Sequence, residues 1–224
     1  EEEKSRFQTR ARLGGMLAAG SAGELALDTA WTAAERLCRA TVKIAGDEPF
    51  ESVTAVHQVD DCTISGVLEN ITPAGQILWS VDGATPWNLI RAWCQHLLLN
   101  VLDDSPTRCS FLIGSEEIVR FSPIDDASEN LSAWASRYQQ GRTRPLPFFP
   151  RSALKFVEGN EASLKPAYEI WLGADYSKSR GEAEDPYFAL AFRDNIEHAL
   201  DGEFEKLAPL IFRPMVNAMT VVTG

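Results

Sequence analysis

Cys94 and His96 stand two residues apart, a nucleophile beside a base. Thiolate chemistry needs the base within hydrogen-bond reach of the sulfur and a sulfur with a lowered pKa. Both residues fall in the run Trp87 to Leu102, which reads as a helix. Leu89, Trp93, His96, Leu97 and Asn100 mark one face, and Ile90, Cys94 and Val101 widen the apolar stripe. Side chains two positions apart on a helix point well away from each other. A core thiol and a hydrogen-bonded core histidine therefore fit these residues better than a catalytic pair.

A second set is Arg142, Arg144 and Arg151 around Phe148-Phe149, in the proline-rich run Arg142 to Arg151. Guanidinium groups interleaved with rings suit a single-stranded nucleic acid, with rings stacking on bases and cations holding phosphates. An exposed diphenylalanine also suits a subunit interface. The competing reading is a connector whose phenylalanines plug the core beneath the helices that follow. Trp87, Trp93 and Tyr138 offer further stacking surface, but helical spacing among aliphatic neighbours places them in the core. Asp103-Asp104, Asp125-Asp126 and Glu182 to Asp185 read as solvated loops, or as surfaces that meet basic patches on a partner.

Other chemistry finds little support. The four cysteines, at 38, 62, 94 and 109, form no C-x-x-C pair and match no zinc spacing. The three histidines, His57, His96 and His198, lie far apart. No H-E-x-x-H, Walker A, G-x-S-x-G or G-x-G-x-x-G motif occurs. Gly14-Gly15 and Gly20-x-x-Gly23 are not followed by Lys-Ser/Thr and read as loop glycines.

The 224 residues are 45% hydrophobic and 24% charged, an ordinary globular composition. One domain is the expectation, residues 1–224, with an α/β core over about 20–141 and a connector and helical extension over 142–224. Lys+Arg number 21 and Asp+Glu 32, a formal charge of −11. That argues against a chain whose main task is gripping phosphates, while leaving a local basic groove open. No apolar run reaches the roughly 18 residues that span a bilayer. The charged start, Glu1-Glu2-Glu3 with Arg6, Arg10 and Arg12 behind it, lacks the apolar stretch of a secretory signal. An intracellular, cytoplasmic location with reduced thiols and no membrane contact is the expectation. The missing initiator methionine suggests a piece of a longer polypeptide.

The elements that must position these residues follow from periodicity. Asp28 to Ile44 reads as a helix capped by Asp28 or Thr29. Val53 to Val59, Cys62 to Ile71 and Gln76 to Val81 read as strands, the last two joined through Thr72-Pro73-Ala74-Gly75. The Trp87 helix comes next, then strands Cys109 to Ile113 and Ile118 to Phe121 and a helix from Glu129 to Gln140. Beyond the connector the signals are helical: Ser152 to Glu158, Glu161 to Leu172, Pro186 to Arg193 and Glu203 to Asn217. Pro166, Pro209 and Pro214 interrupt or bend them, and Tyr176 to Asp185 reads as a polar loop. Helix, three-strand meander, crossover helix and further strands is the core order of the PD-(D/E)xK nucleases, though many α/β folds share it.

Five stretches carry a more specific likeness. They are LGGMLAAGSAGELA (13–26), ISGVLENITPAGQILW (64–79), AWCQHLLLN (92–100), PLPFFPRSA (145–153) and FEKLAPLIF (204–212). In this order they resemble the C-terminal domain of RecC, the gamma subunit of the RecBCD helicase–nuclease (exodeoxyribonuclease V). The resemblance implies an α/β fold with a mixed sheet, a restriction-endonuclease-like PD-(D/E)xK core that has lost its chemistry. RecB-type nucleases carry G-x-I-D-R on one strand and D-Y-K on the next. The two Asp bind the divalent metal and the Lys positions or activates water. Laid on this chain, the first motif falls on Gly66-Val67-Leu68-Glu69-Asn70 and places Glu69 at the first metal position. The partner strand then puts Trp79 at the second carboxylate and Val81 at the lysine. The upstream histidine would fall near Gly23 to Leu27, where there is none. One carboxylate cannot recruit Mg²⁺ into a defined site, and Trp79 beside it would exclude water.

The resemblance therefore implies a scaffold and DNA-guiding domain with no catalytic residue, no metal and no cofactor of its own, inside an ATP-dependent helicase–nuclease complex. Its partners would be RecB-like and RecD-like subunits in a heterotrimer, and double- and single-stranded DNA through that complex, in double-strand-break repair and recombination. Arg142, Arg144, Phe148, Phe149 and Arg151 are the candidate DNA or subunit contacts. Two alternatives stand beside this reading. One is an active nuclease whose ligands have migrated to Glu69, Asp82 and Asp60 or Asp61, although no lysine lies between Lys43 and Lys155. The other is a stand-alone protein-interaction module.

Overall fold

The β-branched runs of the first half of the chain form most of one mixed sheet. The computed structural model describes residues 2–173, 180–200 and 202–222. Among these residues the sheet has six strands in sequential order: β1 (Glu51–Val59), β2 (Cys62–Thr72), β3 (Gly75–Ser80), β4 (Ser110–Gly114), β5 (Ile118–Phe121) and β6 (Met219–Val222). Neighbours are antiparallel except β3 and β4, which run parallel. A parallel pair needs a crossover, and the helix Pro86–Asn100 supplies it.

Eight α-helices accompany the sheet among the described residues: α1 (Glu2–Leu13), α2 (Ser21–Ala45), α3 (Pro86–Asn100), α4 (Ala127–Gly141), α5 (Pro150–Glu158), α6 (Lys165–Leu172), α7 (Pro186–Ala191) and α8 (Glu203–Ala218). Period-two alternation divides the strand residues between two faces. Ile77 of β3 and Ile113 of β4 pack under Leu37, Ala40, Ile44 and Ala45 of α2. The intervening Leu78 and Leu112 join Leu89, Trp93 and Leu97 of α3 on the other face. Leu68 and Ile71 of β2 meet Leu99 of α3. The larger core continues from α3 and α4 into α5, α6 and α8 through Phe149, Trp171, Phe204 and Phe212, all fully buried.

The expected order of helix, three strands, helix, two strands and helix is present, with differences that have local causes. α1 was not expected: it is built mostly of charged and polar residues and buries only Ala11, so it carries almost no apolar stripe. α2 begins at Ser21 rather than Asp28, and Thr29 is interior, its hydroxyl donating to the Leu25 carbonyl at 2.8 Å. Gly23 is therefore a helix residue and not a loop glycine. A Cβ there would lie 2.0 Å from the Ala18 carbonyl oxygen, so the chain entering α2 crosses where only glycine fits. α6 begins at Lys165 because Asn160 and Glu161 hold φ of 55° and 59°, outside the helical region, while Pro166 suits a first turn. α8 continues through both Pro209 and Pro214. The helical extension also ends in a strand: Met219–Val222 pairs antiparallel with β5 and adds an edge to the sheet. Of the polar loop expected over 176–185, residues 176–179 lie outside the described residues. No helix among the described residues is long and apolar enough to cross a membrane.

Candidate functional site

Cys94 packs against the core from α3 and His96 lies within it. His96 is fully buried on α3, between Trp93 (ring centroids 5.4 Å apart) and Phe121 (5.5 Å). Its Nε2 lies 3.1 Å from the Ser122 carbonyl oxygen and its Nδ1 3.0 Å from the Ser110 hydroxyl. A carbonyl can only accept, so Nε2 carries the proton and Nδ1 accepts from Ser110. Burial pushes the imidazole pKa down to about 4. The Ser122 hydrogen bond works against that fall, and the Arg108 charge adds to it. Cys94 is partly buried, and desolvation raises its thiol to about 11. A neutral, fully bonded imidazole and a thiol that resists ionisation form no nucleophile–base pair.

The hairpin residues are less gathered than the sequence suggests. β2 and β3 pair only at Ile71–Gln76 and Thr72–Gly75. Asn70 holds φ 58°, and beyond it the backbone contact passes to a side chain, with Gln76 Nε2 donating to the Glu69 carbonyl at 3.4 Å and to Gln95 Oε1 at 3.0 Å. Glu69 is exposed and does not face Trp79 across a ladder. Trp79 is 43% exposed, so it does not seal the hairpin from water as its bulk alone suggests. It is held instead by its indole N–H, which donates to Thr41 Oγ1 of α2 at 2.8 Å, and by an edge contact with Phe50 at 5.9 Å. Val81, just past β3, is 64% exposed. Among the described residues no group of three or more His, Cys, Asp or Glu is placed to hold a metal ion. Of the migrated-ligand candidates, Asp60 accepts instead from the Ser132 hydroxyl of α4 at 3.3 Å.

The arginine and phenylalanine cluster divides. Phe149 is fully buried, its ring 4.0 Å from that of Trp171 and 5.2 Å from that of Phe188, so it presents no surface in this fold. Phe148 is half-buried between Trp134 and Phe212. Arg144 grips Glu203 with both arms of its fork, Nη1 to Oε2 at 2.8 Å and Nη2 to Oε1. These bonds hold the Glu203 carboxyl below its usual range and raise the guanidinium above its own. Arg151 donates from Nη1 to the Arg180 carbonyl at 3.1 Å. Arg142 is exposed at the end of α4.

Glu182 corrects the reading of its patch as a solvated loop, since it is only 4% exposed. Its Oε1 accepts from the Arg151 backbone N–H at 2.9 Å, and its Oε2 accepts from the Ser152 N–H and hydroxyl at 2.8 Å each. A carboxylate here satisfies the orphan amides at the start of α5 and complements its dipole. Asp185 does the same for α7, accepting from Tyr187 and Phe188 N–H groups at 2.9 and 3.4 Å.

Trp93 is fully buried, as its spacing indicates, but Trp87 and Tyr138 are 52% and 71% exposed. Pro86 and Trp87 form the first turn of α3, where the apolar stripe has not yet met the sheet. Trp87 and Tyr138 face a cavity of about 450 Å³ between α3, α4 and α8, with Phe148 and Leu146 in its wall. Its charged lining residues are Arg137 and Arg142, with no carboxylate among them. The sequence contains every one of these residues, but only the packing of α4 against α3 and α8 brings them together.

Among curated proteins none matches the chain. The family model described as the RecC C-terminal domain matches residues 1–161, from α1 through α5. That span holds the β2–β3 hairpin, the buried His96 and the Arg142 to Arg151 connector, while the Phe204 to Phe212 stretch lies beyond it. With well over half of its 224 residues matched, the chain belongs to the RecC C-terminal domain family.

Proposed function

We propose that the chain is a non-catalytic scaffold and DNA-guiding domain of a RecC-like subunit in a RecBCD-type complex, built on a degenerate PD-(D/E)xK core and acting in the cytoplasm. The reading rests on the β2–β3 hairpin, where, on the resemblance to RecB-type nucleases, Trp79 and Val81 would take the places of a carboxylate and a lysine. The Trp79 indole is committed to Thr41, and Glu69 alone offers one hard ligand. Phosphodiester hydrolysis by such a core needs a divalent cation held by several oxygens to polarise the phosphate and generate hydroxide. A hairpin with one carboxylate supplies neither.

Exposed apolar side chains support the scaffold part. α2 packs on β3 and β4, and Val56 of β1 and Val67 of β2 remain 61% and 60% exposed. Exposed apolar residues on a sheet favour a protein partner, which in a RecBCD-type assembly would be the RecB-like or RecD-like subunit. The ring-lined cavity beside Trp87 supports the DNA-guiding part.

A nuclease assay with Mn²⁺ or Mg²⁺ on linear single- and double-stranded DNA, beside Glu69→Ala, tests the reading. No metal-dependent cleavage above background by either protein is the expected result. Cleavage by the native chain that disappears in Glu69→Ala overturns it.

A further inference from the structure

Trp87 is a wall common to three neighbouring clefts, and their charges differ. The first, of about 450 Å³, carries Arg137 and Arg142 and no acid. The second, of about 480 Å³, carries Arg151 and Lys155 against one carboxylate, Glu158. The third carries Arg151 and Arg180 against Glu182, Glu184 and Asp185. In a chain of net charge −11, two clefts with a cationic surplus meeting at one half-exposed indole form a local exception.

We infer that a single-stranded nucleic acid runs from the Arg137/Arg142 cleft across Trp87 into the Arg151/Lys155 cleft, with unpaired bases on Trp87 and Tyr138. This deepens the DNA-guiding reading and rests on it. The charges set the path: a polyanion gains from the two clefts with a cationic surplus and is turned from the third by its carboxylates. Arg144 takes no part, because Glu203 neutralises it. The rings set the strand state. Trp87 and Tyr138 offer ring surface to solvent, and stacking on them requires base faces that a duplex keeps buried in its own stack. An acidic protein segment would use the cations equally well but would leave the rings without planar partners.

Fluorescence anisotropy of a labelled oligothymidylate of about 12 nucleotides, titrated with the full chain at several salt concentrations, tests this. Trp87→Ala should weaken binding about ten-fold or more, and Trp87→Phe should restore most of it. Arg142→Ala and Lys155→Ala should each reduce the slope of log affinity against log salt by about 0.7, a change that a merely structural role does not produce. Arg180→Ala, in the acidic cleft, should leave binding unchanged. Thermal melting of each variant identifies loss of fold, and the lysine and arginine variants carry the test if Trp87→Ala melts early. Binding that survives Trp87→Ala, or that a polyglutamate peptide displaces as readily as unlabelled oligonucleotide, overturns the path while leaving DNA contact to another surface. Absence of binding by the native chain removes the path and the DNA-guiding role together, and leaves the scaffold role standing.

Discussion

The indole N–H of Trp79 on β3 donates to the hydroxyl of Thr41 on α2 at 2.8 Å, and that hydroxyl donates in turn to the Leu37 carbonyl at 2.8 Å. A ring on β3 thus ties α2 to the sheet. Thr41→Val removes the relay at nearly constant volume. Trp79 is 43% exposed, so the expected cost is about 1 kcal/mol and not the larger penalty of a buried orphan. Trp79→Phe should cost a similar amount, and the double variant little more than either single one. Urea midpoints of the four proteins measure this. Fully additive losses would mean that the hydrogen bond contributes nothing.

His96 makes folding sensitive to acid. Its ring is neutral when folded, with a pKa near 4 in place of the ordinary 6.5. Between those values the unfolded chain binds a proton that the folded chain refuses, so stability falls as pH falls. The contribution is fully present above pH 6.5 and fully lost near pH 4, a swing on the order of 3 kcal/mol. Glu203, whose carboxyl the Arg144 guanidinium holds below its usual range, adds its own loss of stability toward acid. The readout is therefore a difference. Native chain and His96→Gln are unfolded in urea at about pH 7.5 and about pH 4.5. The variant starts less stable and should lose clearly less on acidification. Equal losses would remove His96 from the account.

Local pattern was sufficient where one residue type met one period. The runs 62–72 and 110–114 are rich in β-branched and aliphatic residues and form strands, and Trp93 and His96 fall on the buried face of α3 as their spacing indicates. Pattern failed where the deciding partner is remote in the chain. Glu182 looks like a solvated acid until Arg151 and Ser152, some thirty residues earlier, bring their amides to it. Trp87 and Tyr138 share the helical spacing of core residues but lie at opposite ends of their helices, beyond the reach of the sheet. β6 is four residues after a helix with two prolines, too short to announce itself. Glu69 is legible as a carboxylate on β2. That β2 and β3 pair over only two residues, with Asn70 at a positive φ beyond them, is what no periodicity reports.

The adjacent phenylalanines should separate in stability. Phe149 is fully buried against Trp171, Phe188, Phe192 and Phe204, and Phe149→Ala leaves a cavity that aromatic neighbours close poorly. The expected loss is about 3–5 kcal/mol. Phe148 borders the open cleft beside Trp87, so solvent can fill the space it vacates, and Phe148→Ala should lose less. Chemical denaturation of the two variants checks the order. A larger loss at Phe148 would reverse the placement of the two rings.

The cysteines give a chemical readout of the same burial. Cys38 is exposed on α2, whereas Cys94 is partly buried on α3 with its thiol raised to about 11. The thiolate is the species that alkylates, so near pH 8 Cys94 should react about a hundredfold more slowly than an ordinary thiol. Iodoacetamide on the native chain, followed by peptide mass analysis, should modify Cys38 well before Cys94. Denaturant should abolish the difference, because the unfolded chain returns Cys94 to water. Raising the pH toward 11 should speed Cys94 while the fold persists. Native labelling of Cys94 as fast as Cys38 would mean an ionised thiol beside His96, and would reopen the nucleophile–base reading that burial excludes.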